Sequence, residues 1–259
     1  MESSLSVGLP ELRQEVGFYK GLGRGVVRAW TAAEETDIDR KVQSGVRRVY
    51  YPPAISPELS GYEWSWLRPT KDLSIISGDA NYDLPDDFGR LVGGLEYPAD
   101  QYRDSIAVIS VSKLLAWRAI NDLSGWPRYA ATRYKASDGS GGQRQEILFF
   151  PKPDQAWTLS YEYEAYNGAL TEAYPYPLGG MQLAELYIES CLAVCEADND
   201  EAGLHTQTFQ ALLVDAVKRD KKRGAKTFGC MGHKESYDDV FRRGYTGQVY
   251  PITYKGDPI

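Results

Sequence analysis

The clearest pattern of apolar and polar positions lies between Gly180 and Arg223, where it predicts two consecutive helices. In Met181–Ala197 the polar residues fall on one narrow stripe at helical spacing, and apolar residues cover the remaining sides. The stripe consists of Gln182, Glu185, Glu189 and Glu196. Its glutamates interrupt the apolar run well before the ~20 residues that a membrane span needs. We therefore predict a core helix that packs on several sides, and no membrane partner.

The second of these helices is predicted over Thr208–Arg223. Its apolar face comprises Phe209, Leu212, Leu213, Ala216 and Val217. We expect Thr206 or Thr208 to cap its N-terminus. The last turn is rich in lysine and arginine and precedes Gly224, as expected where the helix dipole is negative and the helix ends.

Two more helices and one shorter helix are predicted from the same periodicity. The first covers Leu9–Lys20. The second covers Ala32–Tyr50 and follows a capping box formed by Thr31 and Glu34. The shorter helix falls within Ser112–Asp122, inside a region that is otherwise extended.

From about residue 70 to residue 170 the period changes from helical to alternating. Trp157–Tyr166 places large apolar side chains on one face and polar ones on the other, which predicts an antiparallel strand with one face in water. Glu162 and Glu164 on the polar face are expected at a solvated edge rather than in a catalytic pair. Tyr129–Lys135 and Glu146–Phe150 flank a turn rich in glycine and serine, which predicts a hairpin.

The predicted fold class is α+β. A four-helix bundle with an inserted, mostly antiparallel β-domain explains the order of two helices, a β-region and two helices. We expect residues 1–69 to form the first half of the helical domain, residues 70–170 the β-domain and residues 171–224 the second helical half. Residues 225–259 lack helical periodicity but keep several aromatic residues. They predict an extended C-terminal arm that becomes ordered against a partner.

Composition narrows the classes of function. The chain has 259 residues and a net charge of -7, which argues against a protein that covers nucleic acid with its whole surface. Aromatic residues make up 12%, with 19 tyrosines and 6 tryptophans, and such a composition suits β-sheet faces and protein interfaces. The 3 cysteines and the lack of an apolar leader predict synthesis in a reducing compartment without a disulfide framework.

No constellation of catalytic residues is evident in the sequence. The chain has only 2 histidines, and neither lies beside a serine or cysteine nucleophile motif. Asp86 and Asp87 are better explained as part of a turn, with carboxylates that bond to nearby backbone amides, than as catalytic acids. We therefore predict that the protein is not an enzyme and takes no cofactor.

Four residues have the spacing of a zinc site. Cys191 and Cys195 could join Cys230 and His233 in a Cys3His set if the tail folded back. Both Cys191 and Cys195, however, fall in the apolar arc of the core helix, where a free cysteine behaves as a small hydrophobic residue. The prediction is therefore that no metal is bound.

Two groups of residues are candidates for binding a macromolecule. The first is a basic cluster at the end of the last helix, where the helix dipole alone also favours cations: Lys218, Arg219, Lys221, Lys222, Arg223 and Lys226. The second lies in the tail: Phe241, Arg242, Arg243, Tyr245, Tyr250 and Tyr254. A nucleic-acid-binding protein and a carbohydrate-binding accessory module remain alternative functions, the latter because the β-region is rich in tyrosine and tryptophan.

Several short motifs follow one another in a characteristic order along nearly the whole chain. They are Tyr50-Tyr51-Pro52, Trp64-Ser65-Trp66-Leu67, Tyr82-Asp83-Leu84-Pro85, Gly125-Trp126-Pro127, Leu148-Phe149-Phe150-Pro151 and Tyr176-Pro177-Leu178-Gly179-Gly180. In this order the sequence resembles the adaptor proteins of tailed bacteriophages, which are also called head-completion or head-to-tail connector proteins.

The resemblance implies a structural virion protein that forms a homo-oligomeric ring under the portal protein, twelve-fold to match it. Such a ring connects the capsid to the tail, continues the DNA channel and contacts a neighbouring tail or stopper protein. The resemblance also implies non-specific contact with packaged DNA. The protein would be made in the bacterial host cytoplasm and would lie at the head-tail interface of the virion, with the tail residues named above as its portal-binding arm.

Overall fold

The structure, a computed structural model, describes residues 4–25, 28–54, 62–101, 103–137, 139–198 and 203–223, and the backbone of 253–254 and 257–258. Within these residues the fold is mixed α+β, as predicted. Five α-helices occur in the described part of the chain: α1 (Leu9–Tyr19), α2 (Ala32–Tyr50), α3 (Val111–Ile120), α4 (Ala184–Asp198) and α5 (Leu204–Arg223). The predicted helices are therefore confirmed, with ends that differ by a few residues.

Helix α4 occupies the centre of the helical region. It packs against α1, α2 and α5, and most of its residues are buried. A shared hydrophobic cluster contains buried residues from each of these four helices together with Trp64 and Leu67. The prediction of a core helix that packs on several sides is confirmed. The residues of its predicted polar stripe are either exposed or in contact with polar partners.

Helices α2 and α4 approach each other closely at Gly45. A Cβ atom at this position would lie 2.6 Å from Cys191 Sγ and 2.8 Å from Cys191 Cα. The hydroxyl of Ser190 donates a hydrogen bond of 2.8 Å to the Gly45 carbonyl. Gly45 therefore lets the two helix backbones approach, and Ser190 adds a polar contact at the same point.

The start of α2 is organised by its predicted capping box. The backbone N–H of Thr31 donates to the Glu34 carboxylate at 2.8 Å, and the N–H of Glu34 donates to Thr31 Oγ1 at 3.4 Å. This reciprocal pair satisfies two backbone donors that the first turn of a helix leaves without partners.

The predicted cap of α5 is wrong. The helix begins at Leu204, and the hydroxyl of Thr208 donates to the Leu204 carbonyl at 2.9 Å, inside the first turn. The cap is instead Glu196 of α4, whose carboxylate accepts from the backbone N–H groups of His205 (3.0 Å) and Thr206 (2.8 Å) and from the Thr206 hydroxyl (2.8 Å). Sequence alone points to a local cap, whereas packing supplies a buried carboxylate from the preceding helix.

The β-region contains two larger sheets and a two-stranded one. A three-stranded antiparallel sheet has the order β1 (Thr70–Ile75), β9 (Trp157–Ala165), β3 (Phe88–Glu96). A four-stranded sheet has the order β2 (Asn81–Asp83), β7 (Gln145–Phe150), β6 (Tyr129–Tyr134), β4 (Ala107–Val108). Strands β5 (Ser124–Gly125) and β8 (Lys152–Pro153) form a short parallel pair, and β10 (Thr253–Tyr254) pairs with β11 (Asp257–Pro258).

The predicted hairpin is confirmed, since β6 and β7 pair antiparallel from Tyr129 opposite Phe150 to Tyr134 opposite Gln145. Helix α3 packs on this pair and buries Leu114 against Ala131 and Leu148. A separate hydrophobic cluster joins the two larger sheets, and the apolar side of β9 lies within it.

The predicted solvated edge at Glu162 and Glu164 is wrong. Strand β9 is the central strand of its sheet, with β1 on one side and β3 on the other. Glu164 is buried and accepts a hydrogen bond of 2.8 Å from Arg90 Nε on β3. Alternation along β9 indicates which side faces the core, but only the pairing with β1 and β3 determines how far the other side is covered.

Candidate assembly site at the end of α5

The predicted basic cluster lies on the last turns of α5, and its members have different surroundings. Arg219 forms an ion pair with Asp215 one turn earlier. The ammonium of Lys221 lies 5.4 Å from the centre of the Tyr62 ring. Lys218 and Lys222 are exposed, and neither forms an ion pair with the residues that the structure describes. Arg223 ends the helix; its side chain and all of Lys226 lie outside the described residues.

A buried carboxylate inside this cluster fixes the end of α5. Asp220 is only 7% exposed and has no cation within ion-pair distance among the described residues. It accepts hydrogen bonds from the Tyr62 hydroxyl (2.7 Å), the Ser65 backbone N–H (2.9 Å) and the Ser65 hydroxyl (2.5 Å). Burial and the neighbouring Asp220 carboxylate raise the pKa of Tyr62, so its phenol stays protonated and donates at neutral pH.

Asp220 is not among the site residues predicted above, although the sequence contains a signal for it. Asp220 lies seven residues after Leu213 and four after Ala216, which places it on the buried face of α5. An acidic residue on an apolar helix face needs hydrogen-bond donors from a neighbouring element. Ser65 and Tyr62, which flank the buried Trp64, are those donors.

The segment Tyr62–Arg68 connects the helical region to the sheets, and we call it the junction segment. The indole of Trp64 is buried and donates to the Val49 carbonyl at 2.8 Å. The carboxylate of Glu63 pairs with both Arg68 and Arg90. Burial acts to raise the pKa of Glu63, but the hydrogen bonds from the two arginines outweigh it and the pKa is lowered. The junction segment therefore contacts α5 through Tyr62 and Ser65, and the three-stranded sheet through the pair of Glu63 with Arg90.

A shallow depression lies between the junction segment, the turn that precedes α4, and α5. It has a cavity volume of about 20 Å³ and is lined by Trp64, Trp66, Gln182, Leu183, Ala216, Arg219 and Asp220. This is below the usual volume of a small-molecule site, roughly 300–1,000 Å³. The shape favours a contact surface over a cofactor pocket.

The candidate catalytic and metal-binding residues have structural partners. Cys191 and Cys195 are buried, the Cys191 thiol lies 3.8 Å from the Val42 carbonyl, and burial raises its pKa. No group of three or more histidine, cysteine, aspartate or glutamate side chains in the described part of the chain could hold a metal ion. Cys230 and His233 lie outside the described residues.

The turn at Asp86 and Asp87 is present, but the predicted partners of the two carboxylates are wrong. Asp86 pairs with Arg144 at 2.8 Å. Asp87 accepts from the Tyr163 hydroxyl at 3.1 Å, and burial together with this carboxylate raises the pKa of Tyr163 to about 12. The turn is closed by the Phe88 N–H, which donates to the Pro85 carbonyl at 3.0 Å. Both carboxylates thus act across the fold rather than on nearby amides.

Most of the predicted arm falls outside the described residues: Phe241, Arg242, Arg243, Tyr245 and Tyr250. Of the backbone that is described beyond Arg223, Thr253–Tyr254 pairs antiparallel with Asp257–Pro258. None of the helices in the described ranges is long and apolar enough to cross a membrane.

Comparison with known proteins gives one family. The chain matches none of the curated proteins. Residues 11–228 match the family described as SU10 adaptor protein, and this range includes most of α1, the other four helices and both larger sheets. Because the match covers most of the chain, the protein belongs to the SU10 adaptor protein family, a family of phage head-to-tail adaptors.

Proposed function

We propose that the protein forms a ring under the portal protein, which connects the capsid to the tail and continues the DNA channel. The observation that carries this proposal is the family match over residues 11–228. The ring would be twelve-fold to match the portal, with a neighbouring tail or stopper protein on its other side. The proposed location is the head-tail interface of the virion, after synthesis in the bacterial host cytoplasm.

The domain organisation is part of the proposal. Helices α1, α2, α4 and α5 would form one four-helix bundle from residues 1–69 and 171–224, with the β-domain of residues 70–170 inserted between its halves. The shared hydrophobic cluster of these four helices supports it, as does the separate cluster between the sheets. Residues 225–259 would be the arm that grips the portal.

The arm would begin at a fixed point, because the hydrogen bonds of Asp220 hold the last turn of α5 on the junction segment. Ordering a glycine-rich tail costs roughly 1–2 kcal/mol per residue in backbone entropy, so one arm alone would bind weakly. In a ring the other arms engage at high effective concentration once the first is bound, and many weak contacts add up to a durable joint.

Truncation tests the arm. Deletion of residues 243–259 should leave the unfolding transition of residues 4–223 nearly unchanged and should abolish co-sedimentation with purified portal rings. The control is the full-length chain with Arg40→Ala, an exposed residue of α2 whose loss should affect neither property. Normal attachment of the truncated protein would show that the arm proposal is wrong.

Packaged DNA is a second candidate partner for the basic cluster. The specific observation in its favour is that Lys218 and Lys222 are exposed and form no ion pair with described residues. If they contact phosphates, replacing both by alanine should reduce the slope of DNA affinity against salt by about 2, since each phosphate contact releases about one counterion. A slope that does not change would show that these lysines do not contact phosphates.

A further inference from the structure

Helix α3 presents an exposed aliphatic face on the side opposite its buried Leu114. The face, which we call the aliphatic face, consists of Leu115, Ala116, Ala119 and Ile120 of the helix and of Leu123 just after it. Their helical spacing places Leu115, Ala116, Ala119 and Ile120 on one side of α3. Ile120 is 75% exposed. Contiguous exposed aliphatic residues of this kind mark contact surfaces more often than single exposed ones do.

A second exposed apolar surface lies in the connection between β9 and α4. We call it the tyrosine loop, and its exposed residues are Tyr174, Tyr176 and Leu178, with Tyr174 79% exposed. The loop backbone is held in place: the Pro175 carbonyl accepts from the Leu9 N–H at 2.8 Å. The Leu178 N–H donates to the Tyr50 hydroxyl at 3.1 Å.

Because its backbone is fixed before any partner binds, the tyrosine loop loses little conformational entropy on binding. Tyrosine also supplies a large apolar ring with a polar end, and it is enriched at protein interfaces and among residues that dominate binding energy. The tyrosine loop therefore has the properties of a preorganised contact surface.

The net charges beside the two surfaces are opposite in sign, since Asp122, next to Leu123, is neutralised by its ion pair with Lys152. Lys113 lies one turn before Ala116 and Trp117; it is exposed and forms no ion pair with described residues, and its ammonium lies 5.0 Å from the Trp117 ring centre. Glu172, two residues before Tyr174, has a side chain that is 90% exposed and lies 3.7 Å from Arg13. Glu185, in the first turn of α4, is also exposed. An aliphatic surface with a cation thus exists on the same chain as an aromatic surface with carboxylates.

We propose that the aliphatic face of one copy packs against the tyrosine loop of the next copy, in a head-to-tail contact that closes into the ring. The inference rests on the proposed function and names the surfaces that would form its subunit interface. A ring of more than two subunits needs two different, complementary surfaces on every subunit. The aliphatic face and the tyrosine loop differ in chemistry and in the sign of their neighbouring charges, as such a contact requires.

Disulfide cross-linking between copies tests this contact even if it is weak in solution. Ile120→Cys and Tyr174→Cys are introduced separately and together into a chain in which Cys230 is replaced by serine, while the buried Cys191 and Cys195 are left in place. Each protein is oxidised alone and on portal rings. The double variant should give a ladder of covalent multimers, whereas each single variant gives none. A mixture of the two single variants should stop at the dimer, because each copy then has only one accessible thiol, Cys191 and Cys195 being buried.

A charge exchange provides an independent check on the same ladder. Lys113→Glu should strongly reduce the yield of multimers, and adding Glu172→Lys and Glu185→Lys in that background should restore it. Lys71→Glu, an exposed lysine on β1, is the matched control and should leave the yield unchanged.

The possible failures are distinguishable. If the wild type co-sediments with the portal as a ring but the double variant forms no ladder, this interface is wrong and the proposed function stands. Cross-links from either single variant to the portal would make that surface a portal contact and would also overturn the proposal. If the wild type never co-sediments with the portal, the proposed function fails, whereas a ladder formed without the portal would still support the subunit contact.

Discussion

Replacement of Asp220 by alanine should destabilise the protein by about 3 kcal/mol. The carboxylate accepts three hydrogen bonds in a site that is only 7% exposed, and hydrogen bonds to a charged group contribute roughly 1.5–3 kcal/mol each. These contributions do not add fully, because the donors belong to two neighbouring residues. The alanine variant also leaves the Ser65 N–H without its acceptor, which costs about 1–3 kcal/mol if water cannot replace it.

Urea unfolding followed by tryptophan fluorescence measures this loss. Trp64 and Trp66, two of the 6 tryptophans, lie on either side of Ser65, so part of the emission reports on the junction segment. With an unfolding slope of about 3 kcal/mol per M, the expected shift in the midpoint is about 1 M. Asp215→Ala is the matched control: it removes an exposed carboxylate from the same helix, one that pairs with Arg219 at i,i+4, and should cost about 0.5 kcal/mol or less.

A double-mutant cycle with Tyr62→Phe separates the hydrogen bond from general disruption. Tyr62→Phe removes the hydroxyl that donates to Asp220 and keeps the ring that contacts Trp64. Its cost should be about 1 kcal/mol in the wild type and close to zero in the Asp220→Ala background. Additive effects, or an Asp220→Ala cost no larger than that of Asp215→Ala, would refute the role assigned to this carboxylate.

Three further predictions concern other contacts of the fold. Gly45→Ala should lower the free energy of unfolding, measured in urea, by about 1–3 kcal/mol despite the better helix propensity of alanine. Adding Cys191→Ala should not restore the stability, because the Cys191 Cα also lies within 2.8 Å of the added Cβ. Glu196→Gln should lose less stability than the wild type between neutral pH and about pH 3. Burial acts to raise the pKa of Glu196, but hydrogen bonds from Thr206 and His205 lower the pKa below the ordinary 4.5. The ionised carboxylate therefore contributes stability above pH 4.5, and this contribution is lost as the pH falls through the folded pKa. Glu185→Gln is the control, and equal acid sensitivity of both variants would contradict the cap. Arg118→Lys should lower the free energy of unfolding by about 1–3 kcal/mol, since a lysine cannot donate hydrogen bonds to Asn81, Ala80 and Phe149 together. The control is Arg144→Lys at the exposed pair with Asp86, which should change the stability by no more than about 0.5 kcal/mol.

Local signals explain what the sequence predicts well. Thr31 and Glu34 start α2 through contacts three residues apart, and that signal is complete within the segment itself. The turn between β6 and β7 is likewise contained in one stretch of the chain, so its glycines and serines identify a hairpin. In both cases the interactions that determine the structure join residues close together in the sequence.

The errors concern groups whose partners lie far away in the sequence. Glu164 lies on the polar face of an alternating strand, which predicts a solvated residue, but its environment is determined by Arg90, 74 residues earlier. Glu196 belongs to the polar stripe of α4, and only the packing of α5 shows that it is a cap. Gly203 illustrates the same limit, since a Cβ there would lie 2.2 Å from Glu196 Oε1, a conflict that no local pattern contains. The predicted arm residues Phe241 to Tyr250 lie outside the described residues and stay predictions.

The junction segment explains how the end of α5 is connected to the rest of the molecule. Ser65 and Tyr62 hold Asp220 of α5, while Glu63, in the same segment, pairs with Arg90 of β3. Arg90 in turn pairs with Glu164 on the central strand β9. A force applied at the end of α5 would therefore be transmitted to the helical cluster through Asp220 and to the three-stranded sheet through Glu63. If the proposed arm attaches there to a portal, the seven residues of the junction segment link that attachment to both halves of the fold, and their buried contacts resist its displacement more firmly than an exposed linker would.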